Sequence, residues 1–354
     1  MTGLALIVLA AAADPFTASR VIEAGGSPRS IKVSAQRTVR LNDREANALL
    51  EQPGAGEITV RAAATAGELT VQVDWPDATR DLPPADEVNQ YADAVALEIP
   101  VEFGAGKRLP YVGMGDAKSP VRLWQQRATS SGSAGMSFIA AGFGSLTRTG
   151  PTPASMRYDE RTSRWSASFK VPRPKQALVP VAFAIWDGAR KERGGYKQLS
   201  GWAFVKLPAP AVDAKYLSEV SWGFGPEPIG NAAAGKPLAE AVCSVCHHLP
   251  GKRGVPQGLA PDLSDVGAIA LPAYLRDSLV DPSGVVVHHL HLDRRYDKSG
   301  ERDVNGAYPP AQGFAWAVEG DAGTASRMPS FSGFNEQQVR DIVAFLLTLQ
   351  GESR

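Results

Sequence analysis

The residues with the plainest chemistry are Cys243, Cys246 and His247, in the run Cys243-Ser244-Val245-Cys246-His247. These are the only two cysteines among 354 residues; two positions separate them and a histidine follows at once. C-x-x-C-H is the attachment signature of c-type haem, in which both thiols add across vinyl groups and the adjacent imidazole is held under the iron. A structural disulfide, a thioredoxin-like redox pair or half of a zinc site are the other chemistries open to such a pair. Electron carriage is the expected one. The remaining histidines, His248, His288, His289 and His291, also lie in the last third, and the first 246 residues have none.

Those side chains need elements to hold them. A chain of this length suggests two domains. Lysine plus arginine equal aspartate plus glutamate at 37 each, so no basic field points to nucleic acid. A hydrophobic content of 44% is enough for a proper core. Residues 4–13 form a short apolar run ending in Ala11-Ala12-Ala13, which reads as a secretory signal peptide over residues 1–13 although no basic residue precedes Arg20. That leader has no cysteine to carry a lipid, and no later run is long enough to span a membrane, so an exported, periplasmic chain is expected.

Between residues 31 and 207 the apolar period is two. Ile58 and Val60; Leu69, Val71, Val73 and Trp75; Trp165, Ala167, Phe169 and Val171; and Val179, Val181, Phe183 and Ile185 each alternate with other side chains, punctuated by turn glycines. That pattern predicts an antiparallel β-sandwich over residues 14–207. Residues 208–230, rich in proline and glycine, read as a linker, with residues 216–222 able to dock on a neighbour. From residue 231 to 354 the period is helical, predicting a small all-α domain. Pro237 is placed near the start of a helix leading into Cys243, and Pro272 opens a second helix over 272–280. Asn335 and Gln338 form a capping box for a last helix, whose stripe of Val339, Ile342, Val343, Leu346 and Leu349 reads as core packing.

From residue 231 onward the chain resembles a class I cytochrome c: a helix ending in C-x-x-C-H, Ala260-Pro261-Asp262-Leu263, Met328-Pro329-Ser330-Phe331, and a terminal helix. The resemblance implies His247 as proximal ligand and Met328 as distal ligand, and His/Met ligation raises the reduction potential. Met328 also lies in a polar loop, where a methionine has little reason to be core filler. The pattern departs from the family in the 80 residues between His247 and Met328, with a long polar insertion over 284–324. Its His288, His289 and His291 read as a solvated loop, with a second metal site or competition for the iron as alternatives. His248 reads as a rim residue.

Four earlier runs are Tyr111-Val112-Gly113-Met114-Gly115-Asp116, Ser119-Pro120-Val121-Arg122-Leu123-Trp124, Trp186-Asp187-Gly188, and Arg193-Gly194-Gly195-Tyr196-Lys197-Gln198-Leu199-Ser200-Gly201-Trp202. Together they resemble the haem-b-binding γ subunit of the type II dimethyl sulfoxide reductase family, the ethylbenzene- and dimethylsulfide-dehydrogenase group. The resemblance implies a non-covalent haem b held by Met114 and Lys197. A lysine ligand must be neutral, which burial and the metal's competition with the proton would favour. The composition agrees: this region has no histidine or cysteine, leaving methionine, lysine or tyrosine, with Met114, Met136 and Met156 as the thioethers. An exposed turn lysine and a core methionine are the plain alternatives. Trp124, Trp186 and Trp202 could be core or pocket wall.

The resemblances imply a periplasmic dihaem electron-transfer subunit that is not catalytic alone, passing electrons between the iron–sulfur subunit of a molybdenum oxidoreductase, through haem b, and a soluble cytochrome c, through haem c. Tethering the two centres keeps each at high effective concentration near the other. No triad, phosphate loop or carboxylate pair of recognisable spacing suggests bond-making chemistry. The rivals are a monohaem cytochrome c with a non-haem β-sandwich that docks a protein or carbohydrate, and a small peroxidase with an open iron position.

Overall fold

The computed structural model describes residues 14–35, 56–82, 91–116, 118–142, 146–192, 197–225, 227–251, 260, 263–285, 317–320 and 323–350. The expected leader and His288, His289 and His291 lie outside the described residues.

The period-two runs are strands. In β3 (Glu57–Ala64) and β4 (Glu68–Pro76), Ile58, Val60, Leu69, Val71, Val73 and Trp75 are wholly buried. The strand β10 (Arg164–Pro172) lies antiparallel to β4, setting Trp165 opposite Trp75 with ring centroids 6.2 Å apart. In contrast, β5 (Ala94–Pro100) and β11 (Leu178–Trp186) are buried on both faces. They pair antiparallel, so Val95, Leu97, Phe183 and Ile185 share the face that enters the main core.

The expected β-sandwich followed by a separate all-α domain is corrected in both parts. The strands form one curled thirteen-stranded sheet in the order β8 (Leu146–Thr152), β7 (Gly132–Ala140), β6 (Val121–Thr129), β5, β11, β12 (Gln198–Ser200), β2 (Arg29–Ala35), β3, β4, β10, β9 (Met156–Asp159). The three-residue β12 pairs with both β11 and β2, and so joins what would otherwise be two sheets. Nor is the sheet wholly antiparallel: β13 (Ala203–Lys206) pairs with β11, and β1 (Val21–Glu23) runs parallel to β13. The curl closes on Gln126 of β6, whose Nε2 donates to Ser168 O of β10 at 2.7 Å while its Oε1 accepts from Ser155 N at 2.7 Å.

Among the described residues the helices are short, and they do not make an independent all-α domain. After α1 (Pro15–Arg20) come α2 (Ala214–Val220), α3 (Ala232–Val242), α4 (Val266–Ile269), α5 (Pro272–Val280) and α6 (Glu336–Thr348), with a two-stranded ribbon of β14 (Ala317–Gly320) and β15 (Gly323–Ser326) before the last. The helices α3 to α6 gather a second apolar cluster, yet Leu271 belongs to the sheet's core and Tyr274 packs against both clusters. Helices of one to three turns bury too little apolar surface by themselves, so they complete their cover on the sheet. Tyr216 and Val220 of α2 likewise enter the main core.

Two helix starts follow the sequence and one does not. Asn335 and Gln338 make the reciprocal capping box of α6, and Pro272 opens α5. The cap of α3 is Asn231, whose side chain accepts from Ala233 N and Ala234 N, so Pro237 stands inside the helix rather than near its start.

Candidate functional site

Cys243 caps the C-terminal end of α3, and its carbonyl accepts from Cys246 N at 3.1 Å and His247 N at 2.8 Å. One turn of backbone therefore gathers Cys243, Cys246 and His247. The two cysteines are not joined in a disulfide. Cys243 is buried in the helical cluster, and burial, with Cys246 adding to it, pushes its thiol up to about 11. Cys246 and His247 are half-buried. His248 is exposed, with Nδ1 3.2 Å from Ser264 Oγ.

Met328 packs against the same cluster as Cys243. Its loop is fastened to the end of α5: Phe331 N donates to Leu279 O at 2.8 Å and Ser330 Oγ to Val280 O at 2.8 Å. Two side chains 85 positions apart thus converge on one apolar cluster. Free thiols, an imidazole and a thioether are a donor set that fits a covalently attached haem.

The second constellation is built on the other face of β5 and β11. Their register sets Ala94 opposite Trp186, Ala96 opposite Ala184 and Glu98 opposite Ala182. Ala94, Ala96, Ala184 and Trp186 form a buried cluster of their own, apart from the main core. Methyl groups on successive strands leave a flat floor, and Glu98 stands at the end of it.

Lys197 and the backbone N–H of Met114 meet at Glu98, while the Met114 side chain packs against the main core. The lysine, next to β12, is only 4% exposed, and its Nζ lies 5.9 Å from the centroid of the Trp186 ring. Burial lowers the Lys197 amine to about 8, against the opposing pull of Glu98. Glu98 is 6% exposed and is pushed well above the carboxylate range by burial, which Lys197 and the Met114 N–H offset only in part. Its Oε1 is buried without a hydrogen-bond partner among the described residues. Met114 sits in a turn closed by Gly115 N donating to Tyr111 O at 2.8 Å. Its φ is +86°, a backbone region that glycine enters freely and a methionine only at a cost. An amine tuned toward neutrality and a thioether fit an iron that takes neutral donors.

The tyrosine that closes this turn reaches the helices. Tyr111 and Tyr274 of α5 have ring centroids 6.4 Å apart, so the Met114 turn and the helix fastening the Met328 loop are in contact. Trp202 is core, with Nε1 donating to Pro110 O at 2.9 Å, whereas Trp186 walls the lysine site. Glu98 and Tyr274 were not singled out in the sequence. The signal for Glu98 was present: a lone carboxylate in the apolar run Ala94-Val95-Ala96-Leu97-Glu98-Ile99.

Comparison with known proteins adds three relatives. The chain is 28% identical over 155 residues to a Haloferax mediterranei protein provisionally assigned as a respiratory nitrate reductase heme subunit, covering 41% of this chain and 54% of that one. It is 28% identical over 174 residues to the dimethylsulfide dehydrogenase subunit gamma of Rhodovulum sulfidophilum, covering 45% and 63%. It is 30% identical over 157 residues to the chlorate reductase subunit gamma of Ideonella dechloratans, covering 41% and 62%. The chain thus spans between half and two thirds of the length of these relatives. No family model matches. Among solved structures, a family 9 carbohydrate binding module from Caldicellulosiruptor kristjanssonii overlaps 55% of this chain and 97% of its own at 8% identity and a TM-score of 0.25, too low to carry an argument. Among the described residues no helix is long and apolar enough to cross a membrane.

Proposed function

We propose that this chain is a two-haem electron-transfer subunit, with haem b held by Met114 and Lys197 and haem c attached at Cys243 and Cys246 and held by His247 and Met328. Each haem would supply a one-electron carrier. The observation that carries the reading is the buried Lys197 amine, lowered to about 8 and sharing the Glu98 carboxyl with the N–H of the left-handed Met114. Three relatives named as haem or gamma subunits of a nitrate reductase, a dimethylsulfide dehydrogenase and a chlorate reductase support it.

The chain's own residues have distinct tasks in this reading. Burial of Lys197 brings its amine nearer to neutrality, and the alanine floor clears space beside it. Residues from 231 onward carry the covalent site, with α3 setting the thiols and the Ser330 and Phe331 hydrogen bonds holding the Met328 loop. The Tyr111–Tyr274 contact ties the two sites through packed side chains. Substrate chemistry belongs to a partner, and the chain alone is not a catalyst. The partners are the iron–sulfur and molybdenum subunits of an oxidoreductase on the haem b side and a soluble cytochrome c on the other, in the periplasm, where thioether attachment is completed.

Affinity purification of the full chain from its native cell tests this. An iron–sulfur protein and molybdenum should co-purify in fixed ratio, and reduction of the partner should reduce the extractable haem before the covalent one. Recovery of the chain without any metalloprotein partner would refute the assignment to such a complex.

A further inference from the structure

A cluster apart from both haem constellations lies where three strands end. Asp77 follows β4, Asp93 precedes β5 and Asp187 follows β11. One carboxylate oxygen from each lies within 4.8 Å of the other two. Asp77 and Asp93 are 7% and 0% exposed.

Hydrogen bonds account for only part of these oxygens. Asp93 Oδ2 accepts from Asp81 N at 2.7 Å and Trp165 Nε1 at 3.0 Å, and its Oδ1 accepts from Gly188 N at 2.8 Å, which leaves Oδ1 one lone pair. Asp77 Oδ1 accepts from Thr79 N and Oγ1, while Asp77 Oδ2 is buried with no hydrogen-bond partner among the described residues. Asp187 Oδ1 accepts from Arg190 N at 3.1 Å. None of the three carboxylates forms a salt bridge among the described residues. The guanidinium near them, Arg190, is engaged by Glu192, its Nε 3.2 Å from Glu192 Oε1, while Asp81 and Glu192 add further negative charge.

We propose that Asp77, Asp93 and Asp187 form a structural binding site for a divalent cation of the calcium class. Close, buried, hard oxygen donors need either protons or a cation between them, and the orphaned Asp77 Oδ2 is the group a cation would satisfy. The donors suit the larger ion: calcium accepts irregular shells of protein oxygens, whereas magnesium gives up its waters reluctantly and is seldom held in a buried cage of side chains. Such an ion would staple β4, in one half of the curled sheet, to β5 and β11 in the other. It would also fix the residue that follows Trp186 and hence the wall beside Lys197.

The test is calorimetric titration of the chelator-treated full chain with calcium chloride, together with thermal melting in calcium chloride, magnesium chloride or chelator. Saturable calcium binding and a higher melting midpoint in calcium than in chelator are expected. Asp187→Asn and Asp77→Asn should each weaken calcium binding at least about tenfold. The comparison of calcium with chelator on the unaltered chain does not depend on either variant folding. Equal midpoints in calcium and chelator would overturn the proposal, as would binding that both substitutions leave unchanged. A gain with magnesium but none with calcium would overturn the assignment of the ion.

Discussion

Gly235→Ala is the sharpest test of how the helices deliver the thiols. Gly235 lies on α3 where it crosses α6, and a Cβ built there would overlap the carbonyl of Asp341 and stand 2.8 Å from Ile342 N. The obstacle is helix backbone, which cannot rotate away as a side chain can, so the helices must part by roughly 1 Å. That separation strikes Ala239, Ile342 and Val343, all wholly buried, and the Asp341 carboxylate that accepts from Asn231 N at 2.7 Å. Overpacking of this kind costs about 1–3 kcal/mol, and a rigid obstacle belongs at the upper end. Alanine's better helix propensity returns about 1 kcal/mol. The expected net loss is about 2 kcal/mol, with a lower yield of covalently attached haem because Cys243 moves with α3. Denaturant unfolding followed by absorbance and far-ultraviolet dichroism reads the first quantity, and haem staining after denaturing electrophoresis reads the second. A neutral or stabilising Gly235→Ala would refute the close crossing, since alanine in an uncrowded helix can only help.

The other expectations concern the ligands. Lys197→Ala should lose the extractable haem and keep the covalent one, read from absorbance after acid-acetone extraction; retention of both would assign the ligand elsewhere. Glu98→Gln removes the carboxyl group whose ionised form favours the Lys197 proton. With that amine at about 8, about one molecule in ten is neutral at pH 7, and loss of the Glu98 carboxyl shifts it further toward neutrality. Acid loss of lysine ligation should therefore move to lower pH in Glu98→Gln, followed by the low-spin spectrum during titration; a shift to higher pH would contradict the coupling. Met328→Ala should lower the potential of the covalent haem and open it to cyanide, and an unchanged spectrum would remove Met328 from the site.

Much of this was legible in the residues, for reasons that differ by element. The strands β3, β4 and β10 show in the period of two because one face enters the core, β11 shows because its larger apolar side chains share one of its two buried faces, and α6 shows in its capping box and stripe. Continuity of the sheet did not show, because it depends on β12, three residues too short to carry a period. Nor did the sharing of Leu271 and Tyr274 between helices and sheet, since periodicity reports which face is apolar and not what covers it. At the thiol site the chemistry was visible because two cysteines and a histidine stand together. At the lysine site the burial of Lys197, its electrostatic coupling to Glu98 and the left-handed Met114 come from the turns and register that bring 98, 114 and 197 together.

Counting haem on the purified full chain tests the central claim most directly. The pyridine haemochrome spectrum is recorded before and after acid-acetone extraction. Two haems per chain are predicted, one extracted with the spectrum of haem b and one remaining on the protein through Cys243 and Cys246. If all the haem stays with the protein, or all of it is extracted, the two-haem account is contradicted.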